Sequence, residues 1–396
     1  MQQSLTQSEQ STCLSPVAAA IAALETGDFQ SRWEITKHIR ELGTEAVPAL
    51  IELVQDKTLD WEIRWFAARL LGEFDQPAVV IALARLLATS DDEALCEIAA
   101  EALAQIGSSA ITVLAQSLAE ASQRPFAVYA LARIRTSATI DPLLSVTTDA
   151  DATIRTQAVE ALSSFRDPRI PPVLVQALSD PAAAVRTEAI ATLGRRKDLV
   201  ESLNLVEHLQ TRLWDLNPTV CAQAAIALGR LGTPAAAAAL GRVLRLAHTP
   251  AALQLEIVRA LSWILTEPVI QTLIAAFEKV PEAVQQETLR ALAKVKQPAL
   301  QATVVNTLLT WLHQPDLSDP NRQTLIMALA NLGDRRSLDS LILQLAHPQK
   351  RIYLHAIAAL KQLAADQAQQ RLSQKLQQPT LSPELKQALQ KALQEW

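Results

Sequence analysis

The chain has 396 residues, 49% of them hydrophobic and only 4% aromatic, with a formal net charge of −5. That balance gives no global attraction to nucleic acid or to an anionic membrane surface. Its three cysteines, Cys13, Cys96 and Cys221, are odd in number and far apart, which argues against a disulfide framework and for a reducing, cytoplasmic setting.

In chain order, residues 1–15 are polar and read as a disordered N-terminal tail without a signal peptide. The apolar run from Pro16 to Leu24 is far shorter than the ~20 residues a membrane helix needs, so no membrane insertion is expected. From residue 16 onward one pattern keeps returning. Its anchor is an apolar residue, usually within Ala-Leu-Gly-x-Leu-Gly or a worn form of it. The anchors are Ile39, Leu71, Leu103, Leu131, Leu162, Leu193, Leu228, Leu261, Leu292, Leu329 and Leu360. The ten intervals run from 28 to 37 residues and average 32.1. A repeat of this length marks an array in which each unit buries its apolar face against its neighbours.

The repeat from Asp167 to Arg196 shows how a unit is built. Asp167-Pro168 opens a first helix, with Val173, Leu174, Ala177 and Leu178 at helical spacing. Asp180-Pro181 breaks it, because proline disfavours helix at the residue before it. A second helix follows with Val185, Ala189, Ile190 and Leu193 on its apolar side. The fold expected is all-α: a right-handed α-solenoid of about eleven helical hairpins over residues 16–384, closed by a capping helix at 385–396. Gly43, Gly107, Gly232 and Gly333 stand four residues after their anchors, where a helix ends most cheaply in a left-handed glycine. The 28-residue interval shortens the repeat around Gln123 to Phe126, and the 37-residue interval inserts a loop around His313 to Pro320.

A polar pair recurs thirteen and seven residues before the anchor: Asp149 and Arg155, Asp180 and Arg186, Asp316 and Arg322. Each places a carboxylate at the end of one helix and a guanidinium near the start of the next. The pattern predicts a structural ladder in which each arginine bonds the aspartate of its own or an adjacent repeat. Cys96 and Cys221 occupy the arginine slot, as simple replacements, and His248 and His347 occupy the aspartate slot.

Ile63-Arg64 leading to Leu70-Leu71-Gly72, and Val185-Arg186 leading to Leu193-Gly194, resemble HEAT-like repeats. So do the segments Leu228 to Pro234 and Leu42 to Leu50, whose short form is most similar to the phycobilisome-lyase HEAT-like subfamily. The resemblance covers about residues 16–384. That subfamily includes E/F-type bilin lyases, phycobilisome-degradation adaptors, deoxyhypusine hydroxylase and scaffolds with no chemistry. The hydroxylase branch holds two irons on paired His-Glu dipeptides, and none of the six histidines here is followed by glutamate. Cys-x-x-Cys, His-Glu-x-x-His and nucleophile-elbow motifs are also missing, so neither a catalytic residue nor a metal site is expected.

The resemblance further implies that second helices line a concave surface. Slots six and two residues before the anchor and two after it share one helix face. They give the partner-binding candidates: Trp33, Lys37, Trp65 and Arg69 near the start, Tyr129 and Arg133 in the fourth repeat, and Arg195, Arg230, Arg259, Trp263, Arg290 and Lys294 from the sixth to the ninth. Trp and Arg are the residues most enriched at binding hot spots, although Trp33 and Trp65 would also serve to cover the open end of the array. The cationic strip suits carboxylates or propionates; balanced by Glu256 and Glu287, it would be a solvated helix face instead. The function expected is a non-catalytic scaffold, adaptor or chaperone without a cofactor, binding another protein, with a phycobiliprotein as one candidate. The alternative is a bilin lyase or lyase-like subunit that holds phycocyanobilin on Trp263, Arg259 and Arg290.

Overall fold

The computed structural model describes residues 15–396. The expected tail, apart from Ser15, and Cys13 lie outside the described residues. Among the described residues every regular element is helical, and the helices pair into eleven hairpins. Contacts divide the chain into two units, Met1–Ala189 and Ile190–Trp396.

In the first unit the hairpins are α1 (Pro16–Thr26) with α2 (Phe29–Leu42), α3 (Val47–Gln55) with α4 (Trp61–Leu71), and α5 (Pro77–Thr89) with α6 (Glu93–Ile106). Next come α7 (Ile111–Ser117) with α8 (Arg124–Ile134), α9 (Ile140–Ser145) with α10 (Ala152–Leu162), and α11 (Ile170–Ala177) with α12 (Ala183–Leu193), in which the boundary falls. The second unit holds α13 (Leu205–Thr211) with α14 (Pro218–Leu231), α15 (Pro234–Leu244) with α16 (Ala251–Leu261), and α17 (Glu267–Ala276) with α18 (Glu282–Leu292). It ends with α19 (Pro298–Leu312) and α20 (Asp319–Leu332), α21 (Leu338–Leu343) and α22 (Lys350–Leu376), and a closing helix α23 (Pro383–Gln394).

Local chemistry sets these boundaries. Asp28, Asp60, Asp92, Asp151 and Asn217 cap second helices, each side chain accepting a hydrogen bond from a first-turn amide. Gly43, Gly107, Gly232 and Gly333 have φ of 65°, 87°, 70° and 70°, the left-handed region expected at a helix end. All eleven anchors are completely buried. They sit where second helices stack on second helices, α2 through α10 in the first unit and α14 through α22 in the second. Small residues allow that approach: a Cβ on Gly229 would lie 2.7 Å from the Ala260 Cβ.

Where Arg–Asp rungs form, the ladder runs forward from one repeat to the next. Arg124 bonds Asp149 at 2.8 Å, and Arg155 grips both oxygens of Asp180 at 2.8 and 2.7 Å. The aspartate of a repeat's own slot contributes its backbone instead. Arg155 donates to the Asp149 and Ala150 carbonyls, and Arg186 to those of Asp180 and Pro181. Satisfying the carbonyls that end the first helix is the work common to this slot. Arg32 reaches Leu24, Arg64 reaches Val54, and the thiols of Cys96 and Cys221 point at the Ser90 and Asp215 carbonyls at 3.6 and 3.1 Å. Asp316 is not part of the ladder. It is exposed in the inserted loop, and the slot one repeat earlier holds Gln285, which offers it no cation. Arg322 turns to the Leu312 and Gln314 carbonyls and to Gln344, and its next-repeat position is filled by His347. Burial therefore works against the Arg322 charge and lowers its pKa. At the last repeat Tyr353 fills the slot, and its hydroxyl donates to Glu395 at 2.8 Å, fastening the end of the chain beyond α23 to α22.

Candidate protein-binding surface

In the first unit, α2 and α4 lie side by side and bring their equivalent aromatic residues together. Phe66 is wholly buried and serves as the hub, with the rings of Phe29, Trp33 and Trp65 set edge-on to it at 5.4, 6.2 and 5.2 Å. Such T-shaped pairs match the positive ring edge to the negative face. Over this cluster lies Arg69, its guanidinium 4.7 Å from the Trp33 ring and 5.5 Å from that of Trp65. Among the described residues Arg69 forms no ion pair. Aromatic faces thus hold the cation while its in-plane N–H groups have no carboxylate. Trp33 remains 39% exposed, so the platform is reachable from solvent. Lys37 is exposed one turn beyond Trp33. Tyr129 and Arg133 form a separate pair on α8, the guanidinium 5.3 Å from the ring.

Phe29, which packs on Phe66, and Trp61, at the equivalent position of the next repeat, are also exposed and were missing from the sequence-based set. The signal was available: both stand ten residues before their anchors, in adjacent repeats.

In the second unit Arg230, Arg259, Trp263, Arg290 and Lys294 are all exposed, as is Arg195, whose Nη2 lies 3.4 Å from the Thr192 hydroxyl. The strip is partly neutralised. Arg259 pairs with Glu256 at 2.6 Å, and Glu287 lies 3.6 Å from Arg259 and 3.3 Å from Arg290. Trp263 is 54% exposed and lies against Gly229, where an added Cβ would come within 2.9 Å of its ring. Past these pairs a groove of about 710 Å³ opens between α18, α20 and α22, lined by Arg290, Lys294, Gln323, Met327, Asn331 and His355. Its half in the tenth and eleventh repeats carries no aromatic residue and few cations, so composition did not mark it.

The two described cysteines are poor candidates for chemistry. Burial, reinforced by Asp92 and Asp91, pushes the Cys96 thiol up, and burial does the same for Cys221. Both are thereby kept protonated and poorly nucleophilic. Among the described residues no group of three or more His, Cys, Asp or Glu side chains is placed to hold a metal ion. No described helix is long and apolar enough to cross a membrane.

Comparison with known proteins matches this architecture. No curated protein matches the chain in sequence. Among solved structures it is similar to the karyopherin Kap121p bound to the extreme C-terminus of the protein phosphatase Cdc14p, with 14% identity, a TM-score of 0.64, and 95% of this chain and 49% of that chain covered. Kap121p bound to Pho4p gives 14% identity, a TM-score of 0.58, and 95% and 52% coverage. The chain therefore spans about half the length of these karyopherin chains, and the likeness is one of fold. One segment, residues 220–245, matches the PBS lyase HEAT-like repeat. The profile described as HEAT repeats matches residues 17–104, 58–125, 111–194 and 140–215, together half of the chain, and the protein belongs to the HEAT-repeat family.

Proposed function

We propose that this chain is a non-catalytic interaction scaffold, adaptor or chaperone that holds another protein against its second helices, in the cytoplasm and without a cofactor. The observation that carries this reading is Arg69, held against Trp33 and Trp65 with no carboxylate partner among the described residues. An ordered, partly desolvated guanidinium with its edge unpaired is a receptor for a partner's carboxylate, and the flanking indoles supply apolar contact. Arg290 and Lys294, beside the groove of the second unit, extend the preference for acidic partners. The karyopherin Kap121p, similar in fold, has been solved bound to the C-terminus of Cdc14p and bound to Pho4p, which supports a protein as the partner here. Affinity capture from the source cells would compare the full chain with Trp33→Ala/Arg69→Ala and Arg259→Glu/Arg290→Glu variants. Loss of the same retained protein from a folded variant supports the reading; identical capture by all three chains refutes it.

A second reading is a bilin lyase or lyase-like subunit with a phycobiliprotein as substrate. It is favoured by the lyase-type repeat at 220–245, whose Arg230 belongs to the same strip as the exposed Trp263. There Trp263 would stack on phycocyanobilin while Arg259 and Arg290 met its propionates. Mixing the chain with phycocyanobilin and recording visible absorbance separates the readings: a spectral change lost in Trp263→Ala supports the lyase, and an unchanged spectrum removes it.

A further inference from the structure

The turn between α13 and α14 exposes apolar surface that the fold does not use. Arg212–Trp214 forms a 3-10 turn after α13, Asp215 accepts from the Asn217 amide, and Asn217 in turn caps α14. These bonds account for the backbone but not for its side chains: Trp214 is 62% exposed and Leu216 completely so. Fourteen residues before the anchor, where Trp214 stands, other repeats place Lys57, Thr89, Thr148, Ser179 or Glu278. A tryptophan at a position that in those repeats is polar and exposed is a departure from them and needs a reason.

Beside it, on the first-helix side, lies a groove of about 590 Å³ between α13 and α15. Leu213, Ala239 and Val243 contribute its buried or apolar lining, and the exposed Trp214 and Leu246 stand at its edges. Arg242 and Arg245 complete the rim, and no carboxylate lines the groove; Glu207 lies one turn back on α13, outside it. Neither arginine forms an ion pair among the described residues, and Arg242 donates only to the side chain of Gln210, at 2.9 Å. An apolar recess walled by an indole and rimmed by uncompensated guanidinium groups is complementary to an anion carrying an apolar side chain.

We propose that this groove is a second docking site, on the side opposite in role to the second-helix face, and that it binds an acidic peptide segment by inserting one aromatic or aliphatic side chain beside Trp214 while flanking Asp or Glu residues pair with Arg242 and Arg245. A recess suits an inserted side chain, whereas a bilayer is met by protruding apolar groups. The chain would then hold one partner on its second helices and a peptide of another on its first.

The test is selection of a random dodecapeptide display library on the full chain, with the enriched peptides measured against variants. The expected set combines Asp or Glu with Phe, Trp or Leu. Its affinity falls about ten-fold or more in Trp214→Ala and in Arg242→Glu/Arg245→Glu, as for a hot spot, and is unchanged in Lys350→Glu/Arg351→Glu, at the exposed start of α22 and outside both candidate surfaces. All the substituted residues are exposed, and a circular dichroism melt confirms that each variant is folded. The two variants at the groove change different side chains, so either alone decides the outcome if the other fails to fold. Enrichment of peptides without acidic residues, binding by the groove variants as tight as by the parent chain, or no enrichment at all overturns the proposal. So does binding of phosphatidylserine vesicles that shifts Trp214 fluorescence, which would make the patch a membrane contact.

Discussion

Replacing Asp180 by alanine tests whether the polar ladder holds neighbouring repeats together. The change removes both oxygens gripped by Arg155 and the acceptor of the Ala182 amide. Each side chain of the pair is only one-tenth exposed, which places it well above an open surface pair, worth about 0–1 kcal/mol. It also borders an open cleft of about 410 Å³, so water can partly rescue the abandoned guanidinium, and the full 3–5 kcal/mol or so of a buried orphan charge is an upper bound. The expected cost is about 2–3 kcal/mol. Repeat arrays unfold less cooperatively than globules, so the measurement should be local. Amide exchange over residues 140–177, which include α9, α10 and α11, should accelerate by roughly 30- to 160-fold. Exchange within about two-fold of the parent would refute the reasoning, since it would make the ladder decorative. The pH dependence has a definite sign. Burial alone would raise the Asp180 pKa, but the Arg155 hydrogen bond and the Ala182 amide outweigh it and the net shift is downward. The contribution is therefore fully present above the unfolded carboxyl value of about 3.9 and is lost as pH falls through the lower folded value.

Gly229→Ala should destabilise the second unit by about 1–3 kcal/mol despite alanine's better helix propensity. The new Cβ meets the Ala260 Cα and the Trp263 ring at 2.9 Å, and an unchanged thermal melt would contradict the close packing of α14 on α16. Cys96 and Cys221 should react with a thiol reagent at neutral pH only after urea is added, because burial keeps both protonated. Fast labelling of either in the native protein would reopen a redox role. Tyr353→Phe should speed exchange in α23 by about five-fold, the loss of roughly one hydrogen bond to Glu395 at the chain end; no change would mean that apolar packing alone holds that helix.

The fold was legible because it is written eleven times. A buried anchor such as Leu131 in a shortened repeat is recognisable from its neighbours even where its own surroundings are worn. The glycines after the anchors were readable for the same reason, since a left-handed helix end admits few other residues. What was not legible is what depends on direction and on three dimensions. Asp149 and Arg155 are six residues apart, and nothing in that spacing says that the carboxylate serves the preceding repeat. Asp316 fits the ladder's spacing but meets no cation, because Gln285 stands where its arginine would be. At the candidate surface, spacing placed Trp33, Trp65 and Arg69 on one face and missed that a single guanidinium lies over both rings. Trp214 was overlooked because it lies outside the slots that define the second-helix face.

The central claim, that a partner protein is held on the second helices, is tested most directly by site-specific photocrosslinking in the source cells. A benzophenone amino acid would replace Trp33 on the second helix α2 or Trp263 in the turn that follows the second helix α16, and Ile81, which is 63% exposed on the first helix α5, as the control. Discrete adducts of one protein at Trp33 or Trp263, and none at Ile81, are the result the account predicts. Adducts at Ile81 with none at the two tryptophan positions would contradict it.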